Sequence, residues 1–175
     1  MKPVIIRTEG VTRCFPSGRE TIYALKNVSI SIKAGTLTIL RGRSGSGKTT
    51  LINLLGALDK PTSGKIYFNG NEITQMSEAR RDVLRQKEMG FVFQSIALIS
   101  MMSAYENVEF ALRVAGYNSG ERRKRAEECL AFVGLSKRMH HRPSELSGGE
   151  QQRVAIARAI AHRPRVVFAD EPTAE

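Results

Sequence analysis

The stretch Thr36-Leu37-Thr38-Ile39-Leu40, followed after one residue by Gly42-Arg43-Ser44-Gly45-Ser46-Gly47-Lys48-Thr49, decides the fold. Its first part is a nearly continuous apolar run, which predicts a strand buried on both faces in a parallel sheet. Its second part matches G-x-x-x-x-G-K-[ST], the pattern of a loop whose backbone N–H groups surround a phosphate chain. Leucines at helical spacing over residues 51–58 then predict an amphipathic helix. Strand, glycine-rich loop and helix in this order predict a phosphate-binding α/β unit.

The residue types of this loop suit the binding of a phosphate chain. Its glycines allow the backbone to curl so that successive N–H groups point inward, and the following helix adds its positive N-terminal end. Lys48 supplies a mobile ammonium for the β and γ phosphates, and the Thr49 hydroxyl can bind Mg²⁺. The competing interpretation is a glycine turn with an incidental lysine, which the strand–loop–helix context disfavours.

The flanking segments predict a mixed α/β chain. Strands are predicted at residues 4–7, 21–25, 28–32, 90–93 and 166–169. Between the last two strands the sequence is mostly helical. Helices are predicted from Ser77 to residue 87, over residues 120–133 with Ser119 as N-cap, and over residues 150–162.

Two acidic residues end the last predicted strand. Asp170 and Glu171 directly follow the apolar residues 166–169. Beside a phosphate-binding loop, such an aspartate can hold Mg²⁺, and the adjacent glutamate can polarise a water for attack on the γ-phosphate. Considered alone, such an acidic pair after a strand is more often a turn, but together with the phosphate-binding loop the functional interpretation is favoured.

Leu146-Ser147-Gly148-Gly149-Glu150-Gln151-Gln152-Arg153 is a second candidate anion site. Ser147 occupies the position of a helix N-cap, and two glycines expose backbone N–H groups at the helix start. An ordinary capped helix, with Glu150 favoured near its positive end, explains the same residues. The capping properties of these residues do not decide between an anion site and an ordinary capped helix.

The composition excludes several classes of protein. Hydrophobic residues make up 41% and charged residues 25% of the 175, which is typical of a globular domain. The longest weakly polar run, residues 95–105, is far shorter than the roughly 20 residues of a membrane helix, and no leader pattern is present. Cys14 and Cys129 are isolated, so they form no metal motif and suit a reducing compartment. We therefore expect a soluble, cytosolic chain.

The net charge of +10 is compatible with several partners. Basic residues cluster over residues 80–87 and 122–125, where nucleic acid, anionic lipid or bulk solvent would all suit them. Aromatic residues make up 6% of the chain and do not alternate with these clusters, which argues against a platform for single strands. Charge alone does not decide between these partners.

Four elements in a fixed order carry a resemblance to a known family. They are the loop at residues 42–49, Gln94 after a strand, the Leu-Ser-Gly-Gly-Glu segment at residues 146–150, and the strand that ends in Asp170 and Glu171. In this order they resemble the ATP-binding subunit of ABC transporters, whose signature is the Leu-Ser-Gly-Gly-Gln/Glu element. The stretches at residues 56–64, 90–94 and 106–108 are most similar to the macrolide-export and lipoprotein-releasing branch.

The resemblance implies the fold class and the domain organisation. The fold would be α/β, a P-loop NTPase core of the ABC type with an N-terminal antiparallel β subdomain and an inserted helical subdomain. Residues 1–175 would form a single ABC ATPase domain. Residues 1–93 and 153–175 would form its nucleotide-binding core, and residues 94–152 its helical signature subdomain.

The resemblance also implies a head-to-tail dimer, of identical or different subunits, with two ATP molecules at its interface. Glu171 would be the general base, acting with Lys48 and Gln94, while Thr49, Gln94 and Asp170 would surround Mg²⁺. The implied ATP contacts in the loop are Gly42, Arg43, Ser44, Gly45, Ser46, Gly47, Lys48, Thr49 and Thr50. The signature residues that would close over the γ-phosphate from the other subunit are Ser147, Gly148, Gly149 and Glu150.

Two further assignments follow from the resemblance. Phe15, in Cys14-Phe15-Pro16, aligns with the aromatic residue that stacks on adenine, a position where tyrosine is commoner. Tyr23 is the alternative, and a core role explains either residue as well. The apolar, methionine-rich residues 96–102 match the region that docks a membrane subunit, with packing inside the helical lobe as the alternative.

We predict a cytoplasmic ATPase subunit, peripheral on the cytoplasmic face of the cell membrane, that powers export or release of an unknown substrate through separate integral membrane permease subunits. The alternative is a truncated nucleotide-binding remnant or regulatory module without turnover. A DNA-associated ABC ATPase is less favoured, because only 99 residues separate Lys48 from Ser147, with no heptad run and no cysteine pair. No nucleic acid partner is expected.

One departure from the family pattern concerns turnover. The family places a histidine that senses the γ-phosphate after the Asp170 strand, whereas His140, His141 and His162 all precede it and the sequence stops at Glu175. We therefore expect this chain to bind ATP through the loop but to hydrolyse it poorly or not at all.

Overall fold

The computed structural model describes residues 2–18 and 20–171. Their contacts divide the chain into two compact units, Met1–Asp82 and Val83–Glu175. Both units contain sheet and helix, and each has its own buried apolar residues. Within the described residues, the structure has no helix that is both long enough and apolar enough to cross a membrane.

The first unit is an antiparallel sheet with one helix. Its elements are β1 (Val4–Ser17), β2 (Glu20–Val28), β3 (Ser31–Lys33), α1 (Lys48–Leu55), β4 (Ser63–Phe68) and β5 (Asn71–Glu72). The strand order is β2-β1-β4-β5, and β3 pairs with β1. Ile6, Val11, Leu54 and Ile66 are almost completely buried and form its core. The sheet is therefore organised around the long strand β1.

Strand β1 is irregular where it passes the segment that follows α1. Between the pairs Arg13–Leu25 and Cys14–Tyr23 the register shifts by one residue, which leaves Ala24 as the extra residue of a β-bulge in β2. Thr62 is joined to β1 on both sides of Arg13, because its N–H donates to the Thr12 carbonyl at 2.8 Å and its hydroxyl accepts from the Cys14 N–H at 3.1 Å. The segment after α1 is thus fixed to the bulged part of the hairpin.

The second unit combines a short parallel sheet with helices. Helix α2 (Glu78–Glu88) runs across the boundary between the units, and the elements after it are β6 (Met89–Val92), α3 (Ala104–Val114), α4 (Ser119–Phe132), α5 (Gly148–Ile160) and β7 (Val166–Ala169). Two short 3₁₀ helices, Ser136–Arg138 and Pro143–Glu145, lie between α4 and α5. Strands β6 and β7 pair in parallel from Met89–Val166 to Val92–Ala169. Apolar side chains of α3, α4 and α5, such as Leu112, Leu130 and Val154, form the core.

The strand predicted at residues 36–40 is the main correction. These residues are not in a strand, and no strand pairing within the described residues includes them. Leu37 is 89% and Ile39 is 64% exposed, so the expected burial on both faces is also wrong. An apolar run becomes a strand only where a neighbouring backbone accepts its hydrogen bonds.

Several boundaries also differ from the sequence expectations. Helix α4 begins at Ser119 with Asn118 as its N-cap, so Ser119 is not the cap, since the Asn118 side chain accepts from the Glu121 N–H at 3.0 Å. Helix α5 begins two residues before the expected position, at Gly148. The two strands predicted near the N-terminus at residues 21–25 and 28–32 are replaced by the longer β2 and the short β3.

Candidate nucleotide-binding site

The glycine-rich loop leads directly into α1. Gly47 has φ 88°, and a Cβ at this position would lie 2.4 Å from the Ala24 carbonyl oxygen at the bulge of β2. Only glycine fits both the left-handed backbone and this close approach. In the described structure no side chain caps the start of α1, and its first turn carries no acidic residue. The positive end of this helix is therefore presented without a competing carboxylate, as an anion site requires.

Lys48 folds back over its own loop. Its Nζ donates to the carbonyl oxygens of Gly42 and Arg43 at 3.0 and 3.1 Å, and the Ser46 N–H donates to the Arg43 carbonyl at 3.2 Å. A Cβ on Gly42 would come within 2.5 Å of the Ser46 hydroxyl oxygen, so a larger residue here would require the Ser46 side chain to move. The ammonium thus lies at the mouth of the loop, where a phosphate oxygen could exchange with the two carbonyls.

The two aromatic candidates for adenine lie on the hairpin of β1 and β2. Phe15 is paired with Ile22, and Tyr23 with Cys14, so the two rings project from opposite faces. Phe15 is 40% and Tyr23 is 56% exposed. The Arg13 guanidinium lies over the Phe15 ring, with Cζ 4.5 Å from the ring centroid, and the Lys26 ammonium lies 5.5 Å from that of Tyr23. A base that binds on a given face of the hairpin can therefore stack on only one of these two rings.

Gln94 and Glu171 meet at the carboxyl ends of β6 and β7. The Gln94 Nε2 donates to Glu171 Oε2 at 2.8 Å, although 77 residues separate them in sequence. Parallel pairing brings the two strand ends to the same edge, and the Asp170 N–H continues the ladder by donating to the Val92 carbonyl at 3.0 Å. Glu171 has φ 47°, a backbone conformation that is uncommon for a residue with a side chain.

The signature segment forms a complete capping box. The Ser147 hydroxyl accepts from the Glu150 N–H at 3.2 Å, and the Glu150 carboxylate accepts from the Ser147 N–H at 2.9 Å. The Ser147 N–H lowers the pKa of Glu150 most, and the Ser147 hydroxyl and the nearby cations Arg138 and Arg153 add to this effect. Glu150 is therefore engaged by its own helix start, while a Cβ on Gly149 would meet only the end of the Arg153 side chain, 3.8 Å away.

Two supporting residues were not predicted as site residues. The Arg158 guanidinium donates to the carbonyl oxygens of Ala97 and Ile96 at 2.7 and 3.2 Å, and burial lowers the pKa of Arg158. The buried Asn107 amide donates to the carbonyls of Ile99, Met102 and Ser103 and accepts from the Ile99 N–H. Together they fix the segment that follows Gln94. The 106–108 stretch singled out in the sequence was the only signal for Asn107, and no signal pointed to Arg158.

The predicted site residues fall into two groups. The first unit holds Phe15, the loop residues 42–49 and Thr50, whose positions are set by β1, β2 and α1. The second unit holds Gln94, Asp170, Glu171 and the signature residues 147–150, whose positions are set by β6, β7 and α5. Of these residues, strand pairing brings together Gln94, Asp170 and Glu171, which lie at the ends of β6 and β7.

Comparisons with known proteins identify the family. The ABC transporter family profile matches residues 25–174. An uncharacterized ABC transporter ATP-binding protein of Methanocaldococcus jannaschii, MJ0796, is 47% identical over 97% of this chain and 74% of its own length. The lipoprotein-releasing system ATP-binding protein LolD 1 of Rhodospirillum rubrum is 44% identical over 99% of this chain and 76% of its own length. The macrolide export ATP-binding/permease protein MacB of Wolinella succinogenes is 46% identical over 99% of this chain but only 27% of its own length.

A solved structure matches the fold. The ATP-binding cassette MJ0796, solved as a dimer in a post-hydrolysis state bound to ADP and Pi, superimposes with a TM-score of 0.91 at 43% identity, covering 97% of this chain and 75% of that one. A second dimeric structure of MJ0796 gives the same TM-score at 44% identity and the same coverage. The predicted fold class is thereby confirmed. This chain belongs to the ABC transporter family, as one of its ATP-binding subunits.

Proposed function

We propose that this chain is the ATP-binding and ATP-hydrolysing subunit that powers export or release of a substrate through separate membrane permease subunits, with low turnover expected of the chain by itself. The observation that carries the proposal is the start of α1, where a glycine-rich loop, an uncapped helix end and Lys48 converge. The relatives named for macrolide export and lipoprotein release support the transport role. The chain would then act in the cytoplasm, on the membrane face that carries its permease.

The loop and α1 bind the triphosphate in this proposal. Backbone N–H groups over residues 42–50 surround the β and γ phosphates, and the N-terminus of α1 adds its positive potential. The Lys48 ammonium exchanges the carbonyls of Gly42 and Arg43 for phosphate oxygens and neutralises charge that develops during transfer. Phe15 stacks on the adenine ring, with Tyr23 as the alternative.

Thr49, Gln94 and Asp170 are the residues that would hold Mg²⁺. Their hydroxyl, amide and carboxylate oxygens are the hard donors that this ion prefers. Gln94 uses its Nε2 to donate to Glu171, so its amide oxygen remains an acceptor. Among the described residues no cluster of three or more histidine, cysteine, aspartate or glutamate side chains is present, and the mixed oxygen set suits Mg²⁺ better than a softer metal. Bound there, the ion would neutralise charge on the β and γ phosphates.

Glu171 is the general base in the proposed reaction. Its carboxylate takes a proton from a water whose oxygen attacks the γ-phosphorus, and the bond to the β-phosphate oxygen breaks to give ADP and phosphate. The hydrogen bond from Gln94 Nε2 fixes one carboxylate oxygen and leaves the other to face the water. Two strand ends thus orient the base before the substrate arrives.

The signature residues act in a dimer. The neighbouring MJ0796 structures are dimers, which supports a head-to-tail pair in which residues 147–149 of one subunit close over the γ-phosphate held by the loop of the other. Glu150 supports this role indirectly, because its carboxylate is held by Ser147 and lies 3.4 Å from the Arg138 guanidinium. Its negative charge is therefore partly neutralised at the place where a phosphate would approach.

Two substitutions test the proposal. Lys48→Ala should weaken ATP binding by at least about tenfold, because it removes the cation of the phosphate loop. Glu171→Gln should leave ATP binding within about twofold of the original and abolish turnover, because an amide cannot accept the proton. Binding is measured by calorimetry and turnover by phosphate release, with the permease from the same organism present in a second series.

The outcomes separate the proposal from its alternatives. Turnover that requires Glu171, and that rises with the permease, supports a transport ATPase. ATP binding without turnover in either series contradicts the hydrolytic role and favours a regulatory nucleotide-binding module. Failure of Lys48→Ala to weaken binding contradicts the assigned phosphate site.

A further inference from the structure

Arg13 connects two parts of the first unit that the proposed function treats separately. Its Nη2 donates to Asp59 Oδ1 at 3.1 Å, and its Nε lies 2.8 Å from Oδ2. The Nε–H is not aligned for a hydrogen bond, so this second contact is a charge contact. The same guanidinium covers the Phe15 ring, with Cζ 4.5 Å from the centroid. One side chain therefore joins the hairpin to the segment that follows α1.

Asp59 is a firmly held partner. Its Oδ1 accepts the Lys60 N–H at 2.7 Å, and its carbonyl oxygen accepts from Nη2 of Arg81 at 2.5 Å. Arg81 is only 4% exposed and is also paired with Glu78. Asp59 is the fourth residue after the end of α1, the helix whose other end carries the phosphate loop. A contact to Asp59 is thus a contact to the segment that directly follows the phosphate-binding helix.

A ligand that stacks on the Phe15 ring has to use the face that the Arg13 guanidinium does not cover. The guanidinium occupies one face, while the side chain as a whole remains 40% exposed. A cation on one face of an aromatic ring is attracted by its electron density and restricts its motion. A purine can stack only on the opposite face, at a distance from the phosphate loop that the Arg13–Asp59 contact helps to fix.

We propose that Arg13, held by Asp59, is a positioning residue for nucleobase binding: it fixes the Phe15 ring so that the base of ATP stacks on its free face. This inference rests on the proposed function, because it requires Phe15 to contact the adenine. It adds a residue that acts on the base through Phe15 and leaves the phosphates unaffected.

The test compares ATP with inorganic tripolyphosphate, which lacks the base, by calorimetry on the whole chain. Arg13→Met keeps the aliphatic stem but removes the charge, and should weaken ATP binding about fivefold while tripolyphosphate binding stays the same. Asp59→Asn should give a smaller loss in the same direction. In a Phe15→Leu background, Arg13→Met should have no further effect on ATP.

The chain supplies a matched control in the same strand. Arg7 also covers an aromatic ring, with Cζ 4.1 Å from the centroid of Tyr67, and is paired with Glu9, but it has no contact with Phe15 or Asp59. Arg7→Met should leave both affinities unchanged. Circular dichroism melting of each variant verifies that it is folded at the temperature of the titrations.

Any other result contradicts either the adenine contact of Phe15 or the positioning role of Arg13. If Phe15→Leu leaves the ratio of ATP to tripolyphosphate affinity unchanged, the adenine contact proposed for Phe15 is wrong. If Phe15→Leu lowers that ratio but Arg13→Met does not, the positioning role is overturned while the adenine contact stands. If Arg13→Met weakens both ligands equally, or if Arg7→Met has the same effect, Arg13 is purely structural and the inference is overturned.

Discussion

Gln94 and Glu171 illustrate how strand pairing brings two candidate site residues together. Each lies just beyond the end of a short strand, and the parallel register of β6 and β7 places these ends side by side. The resulting hydrogen bond of 2.8 Å restrains a carboxylate on an exposed edge, where side chains are otherwise free to rotate. The orientation of the Glu171 carboxylate, the general base that we propose, can therefore be removed by a single substitution.

Replacement of Gln94 by alanine should lower kcat more than it weakens ATP binding. The Glu171 carboxylate would lose its restraint, and a misplaced base reduces the rate of proton transfer by about 10- to 100-fold. Steady-state phosphate release over a range of ATP concentrations separates kcat from KM. Asn71→Ala, in the exposed strand β5, serves as the control. An unchanged kcat with a raised KM would show that Gln94 serves binding alone.

At the residue scale, the sequence predicts the chemistry of a site better than it predicts which side chains contact each other. The spacing of the loop residues indicates a phosphate site because the motif itself contains the chemistry. The ion pair of Arg13 with Asp59 spans 46 residues, and the contact of Arg158 with Ile96 spans 62. No local pattern predicts such pairs, because they depend on register shifts and on loop conformations such as the positive φ of Ala97.

At the scale of elements, α5 is tied to β6 at its C-terminal side. His162, just beyond the end of α5, shares a hydrogen bond of 3.0 Å between Nε2 and the Met89 carbonyl, which requires a protonated Nε2 as donor. Burial lowers the pKa of His162, and the hydrogen bond to Met89 opposes this in part. The folded state therefore favours the neutral ring.

Acidification should destabilise the chain through His162. Because its folded pKa lies below the unfolded value of about 6.5, the stabilisation is present above that pH and is lost as pH falls through it. The melting temperature of the chain should drop between pH 7.5 and 5.5 by roughly 1–3 °C more than that of His162→Gln, a modest difference because the ring is half-exposed. Equal slopes for both proteins would contradict the linkage.

Elements were predicted well where one local signal decides them. The β7 strand was located to the residue because an apolar run is bounded on both sides by polar residues, and Ser147 was identified as a cap from its position before two glycines. The start of α4 was not, because Asn118 and Ser119 are both good caps and only the contact with Glu121 selects the first. The strand predicted at residues 36–40 was wrong because burial in a sheet depends on partners that are distant in sequence.

At the scale of the whole molecule, fewer basic side chains are available to bind an anionic partner than the net charge of +10 suggests. In the second unit Arg122, Arg123 and Arg125 are each paired with a glutamate, namely Glu109, Glu127 and Glu128. In the first unit Arg81 is buried and contributes nothing to a basic surface. The cluster at residues 122–125 therefore fits the interpretation as an ordinary helix surface better than that of a nucleic acid site, and the cluster at residues 80–87 loses one of its cations.

The exposed apolar residues of the 36–40 segment should govern the solubility of this chain. Replacing Leu37 and Ile39 with threonine should reduce self-association, because both side chains are exposed, while the free energy of unfolding changes by no more than about 0.5 kcal/mol. Light scattering at matched concentrations and urea unfolding measure the two effects.

Ile66→Thr is the contrasting control, because Ile66 is only 1% exposed and its replacement should cost about 2 kcal/mol or more. A loss of that size on replacing Leu37 and Ile39 would show that the segment is buried in solution.

Helix α5 links the opening of two loops in the second unit. The signature serine caps its start and, about three turns later, α5 carries the arginine that holds the carbonyls of Ile96 and Ala97. A single rod of 13 residues thus supports two loops that are far apart in sequence. Because both loops are attached to this helix, we expect their amide protons to exchange with deuterium as one cooperative unit. The signature and the segment after Gln94 would then share one opening rate.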